Sequence, residues 1–386
     1  MLLFTVIIID ILAGAEVDLF VPSFPELQKI FHLSPFLIQF MLSGNLVFYC
    51  LCSLFAGALG DRYNRRSVML ISLSVLLLGS ILCVTAVYYP MLLVGRILQG
   101  IGMAGPAALA FPIALEYFSV QKQAAIVGIL NGIANLSMAF APVVGSYINL
   151  FFGWRGNFIV LLAMSAFCLV MSYFVLPNRQ GNPAVSLSLK AYWPLLCSVK
   201  MQFFTAFFCF LASTYWVFIG MAPILYMHDL GVSLKEFGYY QGVLAATFGL
   251  ISLVSPKFFT WFGKANCFYT GIALCIVSGL CAVGIICFNI SQPLLITTVV
   301  VFMSIAAAVP VAILFPQALA VLEHSGGRAS ALMLASRLIL TALTLIVVSY
   351  FYNGTFFPIG LAMVIFQFVA MFCVWKLLAE KWIVLS

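Results

Sequence analysis

Charge is scarce in this 386-residue chain: 7% of residues are Asp, Glu, Lys or Arg, against 65% hydrophobic. A water-soluble domain of this length cannot bury so much apolar surface, and a mean hydropathy of +1.20 places the chain in a bilayer. Histidine is scarcer still, with three residues, His32, His228 and His324, all near the ends of apolar runs. The 11 cysteines contain no C-x-x-C pair and no histidine at ligand spacing, so neither a zinc nor a haem site is supported and no cofactor is expected. There is no G-x-x-x-x-G-K-[ST] loop, so ATP is not the direct energy source in this chain. No Ser/His/Asp set, His/Glu metal motif or paired-Asp motif supports an enzyme. The excess of 17 Lys+Arg over 10 Asp+Glu is dispersed singly instead of forming a patch, which argues against nucleic acid as a partner.

What is present is a series of apolar runs of about 20 residues, enough to cross about 30 Å of hydrocarbon. Twelve are found, at 2–24, 36–59, 67–88, 91–117, 123–150, 156–176, 200–227, 237–258, 266–288, 293–322, 328–352 and 356–378. The expected fold is an all-α membrane protein of twelve transmembrane helices in two six-helix halves. Residues 1–177 and 200–386 form the halves, joined by the polar, Pro/Gly/Ser-containing linker 178–199. With the N-terminus cytoplasmic, the outer loops keep only Lys29, Arg155 and Lys235, and nearly every other cation falls inside, as the positive-inside rule requires. Both termini are therefore placed in the cytoplasm. The first run lacks a charged n-region and is read as a retained helix.

The halves match weakly at an offset of roughly 200 residues, as an internal repeat would. Pro22 pairs with Pro223, Pro90 with Pro293, and Phe111-Pro112 with Phe315-Pro316. In the hairpin after the second helix, Asn64 falls on Gly263 and Arg65 on Lys264.

That hairpin, "GALGDRYNRRSVML", has a bland reading as a positive-inside anchor. Its order nevertheless resembles the G-x-L-x-D-R-x-G-R-R signature of the major facilitator superfamily, at Gly57, Leu59, Asp61, Arg62, Arg65 and Arg66. Asn64 replaces the usual glycine, and asparagine is the next best residue for a left-handed turn. "GRILQGIG" opening the fourth helix resembles the family's R-x-x-Q-G-x-G motif, with Arg96 its intramembrane arginine. Gly100, Gly102 and Gly105 form a formal G-x-G-x-x-G, but inside a membrane span they serve helix packing. The fifth helix, "GILNGIANLSMAFAPVVGSYI", is similar to the antiporter motif in degraded form, at Gly128, Ser137, Ala141, Pro142, Gly145 and Ser146. "GWRGNF" and "DLFVPSFPEL" narrow the resemblance to drug:proton antiporters of the bicyclomycin/chloramphenicol-resistance (Bcr/CflA) group, whose first helix typically ends in an aspartate matched here by Asp18. The resemblance implies that the hairpin residues and Gly128, Pro142 and Gly145 govern conformational change.

The first helix and its outer edge carry Asp10, Glu16, Asp18 and Glu26, although a carboxylate at the centre of a membrane helix costs about 2.5–3.5 kcal/mol. Asp10 and Asp18 lie about 12 Å apart along the axis and about 80° around it, so both can border one cavity. Glu16 is about 160° from Asp18 and faces elsewhere unless the helix unwinds near Pro22, or else it reaches the outer interface. Glu26 is expected solvated in the outer loop. A structural ion pair of Asp10 or Asp18 with Arg96 competes with a proton-carrying role. The counterparts in the seventh helix are the apolar Leu211, Val217 and Ile219, so folding does not demand acids there.

Arg337, deep in the eleventh helix, can snorkel, pair with a first-helix acid or bind an anionic substrate group. Arg96, Asn45, Gln39, Tyr215 and Trp216 are further candidates for a substrate cavity, with packing as the alternative. The resulting expectation is a monomeric, proton-coupled secondary transporter of the bacterial inner membrane, exporting small amphipathic molecules by alternating access. Asp18, Asp10 and Glu16 are its proton-coupling candidates. Transport of an anionic metabolite or carboxylate siderophore, and a non-transporting membrane receptor, remain open readings.

Overall fold

In hydrocarbon every backbone N–H and C=O must be satisfied within the protein, which leaves such apolar runs the helix. The computed structural model describes residues 1–115, 120–178, 180–183, 189–321 and 326–384, and no strand occurs among them. Helices α1 (Leu2–Ala15), α2 (Phe24–Phe31), α3 (Pro35–Arg62), α4 (Arg65–Val84), α5 (Tyr89–Leu115) and α6 (Val120–Val175) belong to one compact unit, Met1–Ser188. The short α7 (Trp193–Cys197), then α8 (Val199–Pro223), α9 (Leu234–Phe262), α10 (Lys264–Cys287), α11 (Pro293–Leu319), α12 (Gly326–Tyr350) and α13 (Phe357–Ala379) belong to a second, Leu189–Ser386. Nine helices among the described residues are long and apolar enough to cross a membrane, and each of the twelve expected runs falls on a helix.

One run differs in shape from expectation. The first ends as α-helix at Ala15 and continues through turns to a 3-10 segment, Val21–Ser23. Proline disfavours helical backbone in the residue before it, and the chain ahead of Pro22 and Pro25 tightens to three-residue bonds, Val21 N to Asp18 O and Ser23 N to Phe20 O. The fifth and sixth runs form the two helical stretches of α6, which meet at a kink at Gly153, whose φ of 66° is a conformation side chains rarely adopt. Arg155 there donates to the carbonyls of Val84 at 3.2 Å and Ala86 at 2.9 Å, satisfying groups beyond the end of α4.

In the first unit α1 packs against α5 and α6, and α3 and α4 both pack against α5. Glycine sets the closest approaches: a Cβ on Gly100 would lie 2.3 Å from Asn45 O, and on Gly145 1.9 Å from Leu19 O. Gly57 faces open space, with nothing within 4 Å of where a Cβ would stand; Gly60 is the pinched residue, 2.6 Å from Leu109 Cδ2. In the second unit α12 and α13 pack on α8 around Phe204, Phe207, Phe268 and Leu314.

The hairpin turn also departs from expectation. Asn64 has φ −178°, an extended backbone open to any residue, and its side chain caps α4 by accepting from Arg66 N at 2.8 Å. The left-handed conformation occurs instead at Gly263, φ 78°, which precedes α10 at the matching position.

Gly145→Ala should lower the melting temperature of the detergent-purified protein by a cost of about 1–3 kcal/mol, because the contact is with backbone that cannot rotate away. Gly57→Ala, facing open space in a helix, should leave it unchanged or raise it.

Candidate functional site

Glu16 follows α1 directly and is fully buried. Its Oε1 accepts from Arg96 Nη1 at 2.6 Å and from Asn45 Nδ2 at 3.0 Å. Asn45 Nδ2 also reaches the Arg96 carbonyl at 2.9 Å, bracing α3 against α5 where Gly100 lets them meet. Arg96 Nη1 donates in addition to Gln99 Oε1 at 2.6 Å, and Gln99 Nε2 to Ser80 Oγ at 2.8 Å on α4. The guanidinium lies 4.0 Å from the Phe20 ring centroid, so a π face covers part of its charge.

Glu16 does not reach the interface. The α-helix ends at Ala15, the unwinding ahead of Pro22 that the angular argument allowed for, and the turn beyond it carries Glu16 to Arg96. Asp10 and Asp18 are buried as well, at 5% and 3% exposure. Asp10 Oδ2 has no hydrogen-bond partner among the described residues, and neither do Glu16 Oε2, Arg96 Nε and Arg96 Nη2. Asn45 and Arg96, expected to meet substrate, are at 0% exposure within this network, and Gln39 is equally buried.

The antiporter-like residues of α6 stand against the same segment. Ser137 Oγ donates to Ile11 O at 2.7 Å, and Gly145 abuts Leu19 O. Pro142 lies inside α6 with its carbonyl accepting from Ser146 Oγ at 2.8 Å. Gly128 is on α6 but lies outside the residues whose side-chain surroundings are described. Glu26, expected solvated, is half-buried and tied to Trp154 N and Asn149. Burial outweighs these bonds and the Arg155 charge, and holds its carboxyl above the usual range.

At the hairpin, Arg65 Nη2 and Nε hold Asp61 Oδ1 at 2.7 and 2.9 Å, Arg62 lies 5.7 Å from the Tyr63 ring, and Arg66 Nη2 donates to Tyr173 O at 2.6 Å. In the second unit the Arg337 guanidinium lies 5.3 Å from the Trp216 ring, beside Tyr215, while Ser213 and Thr341 join α8 to α12 at 2.9 Å. Gln99, the glutamine of the R-x-x-Q-G-x-G stretch, sits at i+3 from Arg96 on one helix face; Ser80 and Phe20 have no local signal in the sequence.

Long apolar helices around a buried charge network define an integral, multi-pass membrane protein. The chain belongs to the Major Facilitator Superfamily, whose sequence model matches residues 6–345. Members of that family are transporters, not enzymes. Among its relatives is the multidrug resistance protein MdtL of Salmonella paratyphi B, 26% identical over 249 residues, or 64% of this chain and 63% of the relative. The namesake from Salmonella paratyphi C is 27% identical over the same shares. The match thus spans less than two thirds of those proteins' length. The fold is that of a bacterial homologue of the human lysosomal transporter Spinster, with TM-score 0.74 at 16% identity, covering 98% of this chain and 96% of that one. A D-xylose–proton symporter gives TM-score 0.73 at 14% identity, covering 95% and 96%.

Glu16→Gln should cost about 3–5 kcal/mol by stranding the buried Arg96 charge. Thermal unfolding of the double variant Glu16→Gln/Arg96→Met should recover most of that loss.

Proposed function

We propose that this transporter couples protons to the outward export of small amphipathic molecules across a bacterial inner membrane, as a monomer with both termini cytoplasmic. The observation that carries the reading is the burial of three acids, of which Glu16 is held by Arg96 and Asp10 keeps a carboxylate oxygen with no hydrogen-bond partner among the described residues. Glu16 and Arg96 then act as a fixed brace, and Asp18 with Asp10 carries the proton. The charged form of a buried carboxylate is costly and the protonated form is not, so proton binding changes which conformation is favoured. Substrate competes for the deprotonated form, and rocking of the two halves exposes the site to each side in turn. One charge moved across 100 mV supplies about 2.3 kcal/mol, enough for a modest gradient per proton. The MdtL relatives, named for multidrug resistance, agree in kind with export.

In proteoliposomes with an imposed pH gradient, Asp18→Asn should reduce substrate-driven proton flux to background and Asp10→Asn should reduce it partially, with both variants folded. Wild-type flux in purified Asp18→Asn would remove the proposed role.

A defined anionic substrate is the second reading, favoured by the Arg337 guanidinium against the Trp216 ring, a cation and a flat apolar face side by side. On that reading Arg337→Ala loses binding of anionic compounds about tenfold or more while proton-linked conformational change persists. Equal loss for cationic and anionic compounds would count against it.

A further inference from the structure

On the first unit, outside the helix-1 network, lies a cavity of about 270 Å³ between the α3–α4 hairpin and the chain leaving α6. Asn64, Arg65, Arg66, Gln180, Gly181 and Asn182 form its polar wall, and Ile113 and Leu176 close its apolar side. The wall is fixed by backbone bonds: Gly181 N donates to Tyr63 O at 2.9 Å and Asn182 N to Asp61 O at 2.8 Å. Asn64 Nδ2 donates to Asn178 Oδ1. Gly181 is needed for this closure, since a Cβ there would stand 2.4 Å from Arg62 O.

The charges lining the space do not cancel. Asp61 is matched by Arg65 through the two bonds already described, whereas Arg66 makes its hydrogen bond to a carbonyl, Tyr173 O at 2.6 Å. Arg66 also lies 5.4 Å from the Tyr173 ring, and its buried Nε has no acceptor among the described residues. With Asp61, Arg65 and Arg66 as the ionised lining, one positive charge remains. The N-terminus of the 20-residue α4 opens at the same place, adding the positive end of a helix dipole. A planar guanidinium fork, an asparagine amide and a helix N-terminus around a preformed hollow are the donor set of a phosphate site.

We propose that this cavity binds a phosphate group, either as inorganic phosphate or as the head group of an anionic lipid, and that Arg66 is its principal ligand. Binding there ties the α3–α4 hairpin to the chain beyond α6 through the anion as well as through the backbone. The site stands independently of the proton-coupled reading, because it uses none of the helix-1 acids.

The test is thermal unfolding of the full-length protein in neutral detergent, titrated with sodium phosphate against sodium chloride at matched ionic strength. Wild type should show a saturable rise in melting temperature with phosphate. Arg66→Gln should need about tenfold more phosphate for the same rise, and Lys264→Gln, at the matching helix start of the other unit, should behave as wild type. The difference between wild type and the Arg66 variant removes the general stabilisation phosphate gives any protein. A second arm uses nanodiscs of phosphatidylcholine with and without phosphatidylglycerol. A response to free phosphate identifies the soluble ion; an Arg66-dependent response confined to phosphatidylglycerol identifies the lipid head group. If Arg66→Gln fails to fold, Arg66→Lys, which keeps the charge and loses the fork, should weaken the response. The absence of any response in wild type in both arms, or a response equally strong in the folded Arg66 variant, overturns the proposal.

Discussion

The Glu16–Arg96 ion pair is the constraint around which the first unit is arranged. Two charges at 0% exposure are tolerable in an apolar interior only when they meet at close range and their remaining capacity is partly met. Each helix next to them contributes to that end: α3 brings Asn45, α4 brings Ser80 through Gln99, and the turn after α1 lays Phe20 against the guanidinium. The glycines follow from the same need, since Asn45 can serve both partners only because Gly100 lets α3 approach α5 to backbone contact.

The second unit is held differently. Leu211, Val217 and Ile219 of α8 are apolar and buried, and α8 is held by aromatic packing around Phe204 and Phe207. Its polar bonds are modest ones, such as Ser213 to Thr341 at 2.9 Å and Gln367 to Cys275 O at 2.6 Å. α4 and α10 begin alike, at Arg65 and Lys264, but α1 ends at Ala15 whereas α8 runs unbroken to Pro223.

The helices were legible because apolar length and helix are nearly synonymous inside a bilayer, and the buried acids were legible because they are rare there. The partner of Arg96 was not. An angular argument holds only along a continuous helix, and the α-helix ends at Ala15, so the turn beyond it carries Glu16 to an arginine. Asn64 shows a different limit. Composition correctly marks a turn residue, but asparagine serves turns in two ways, by backbone tolerance and by side-chain capping, and only the folded geometry reveals capping here. Glu26 looked solvated because it sits among loop residues; the helix break at Gly153, which brings Trp154 N to it, has no local signature near position 26.

The contact of Gly145 with Leu19 O has a mechanical meaning. Backbone pressed on backbone leaves no side chain to act as a cushion, so the turn carrying Asp18 and the middle of α6 move as meshed teeth. A shift of the acid-bearing turn by even a fraction of an ångström is delivered to a helix with Pro142 in its interior, one already predisposed to bend. A displacement of that turn is thereby passed to α6 with no side chain to absorb it.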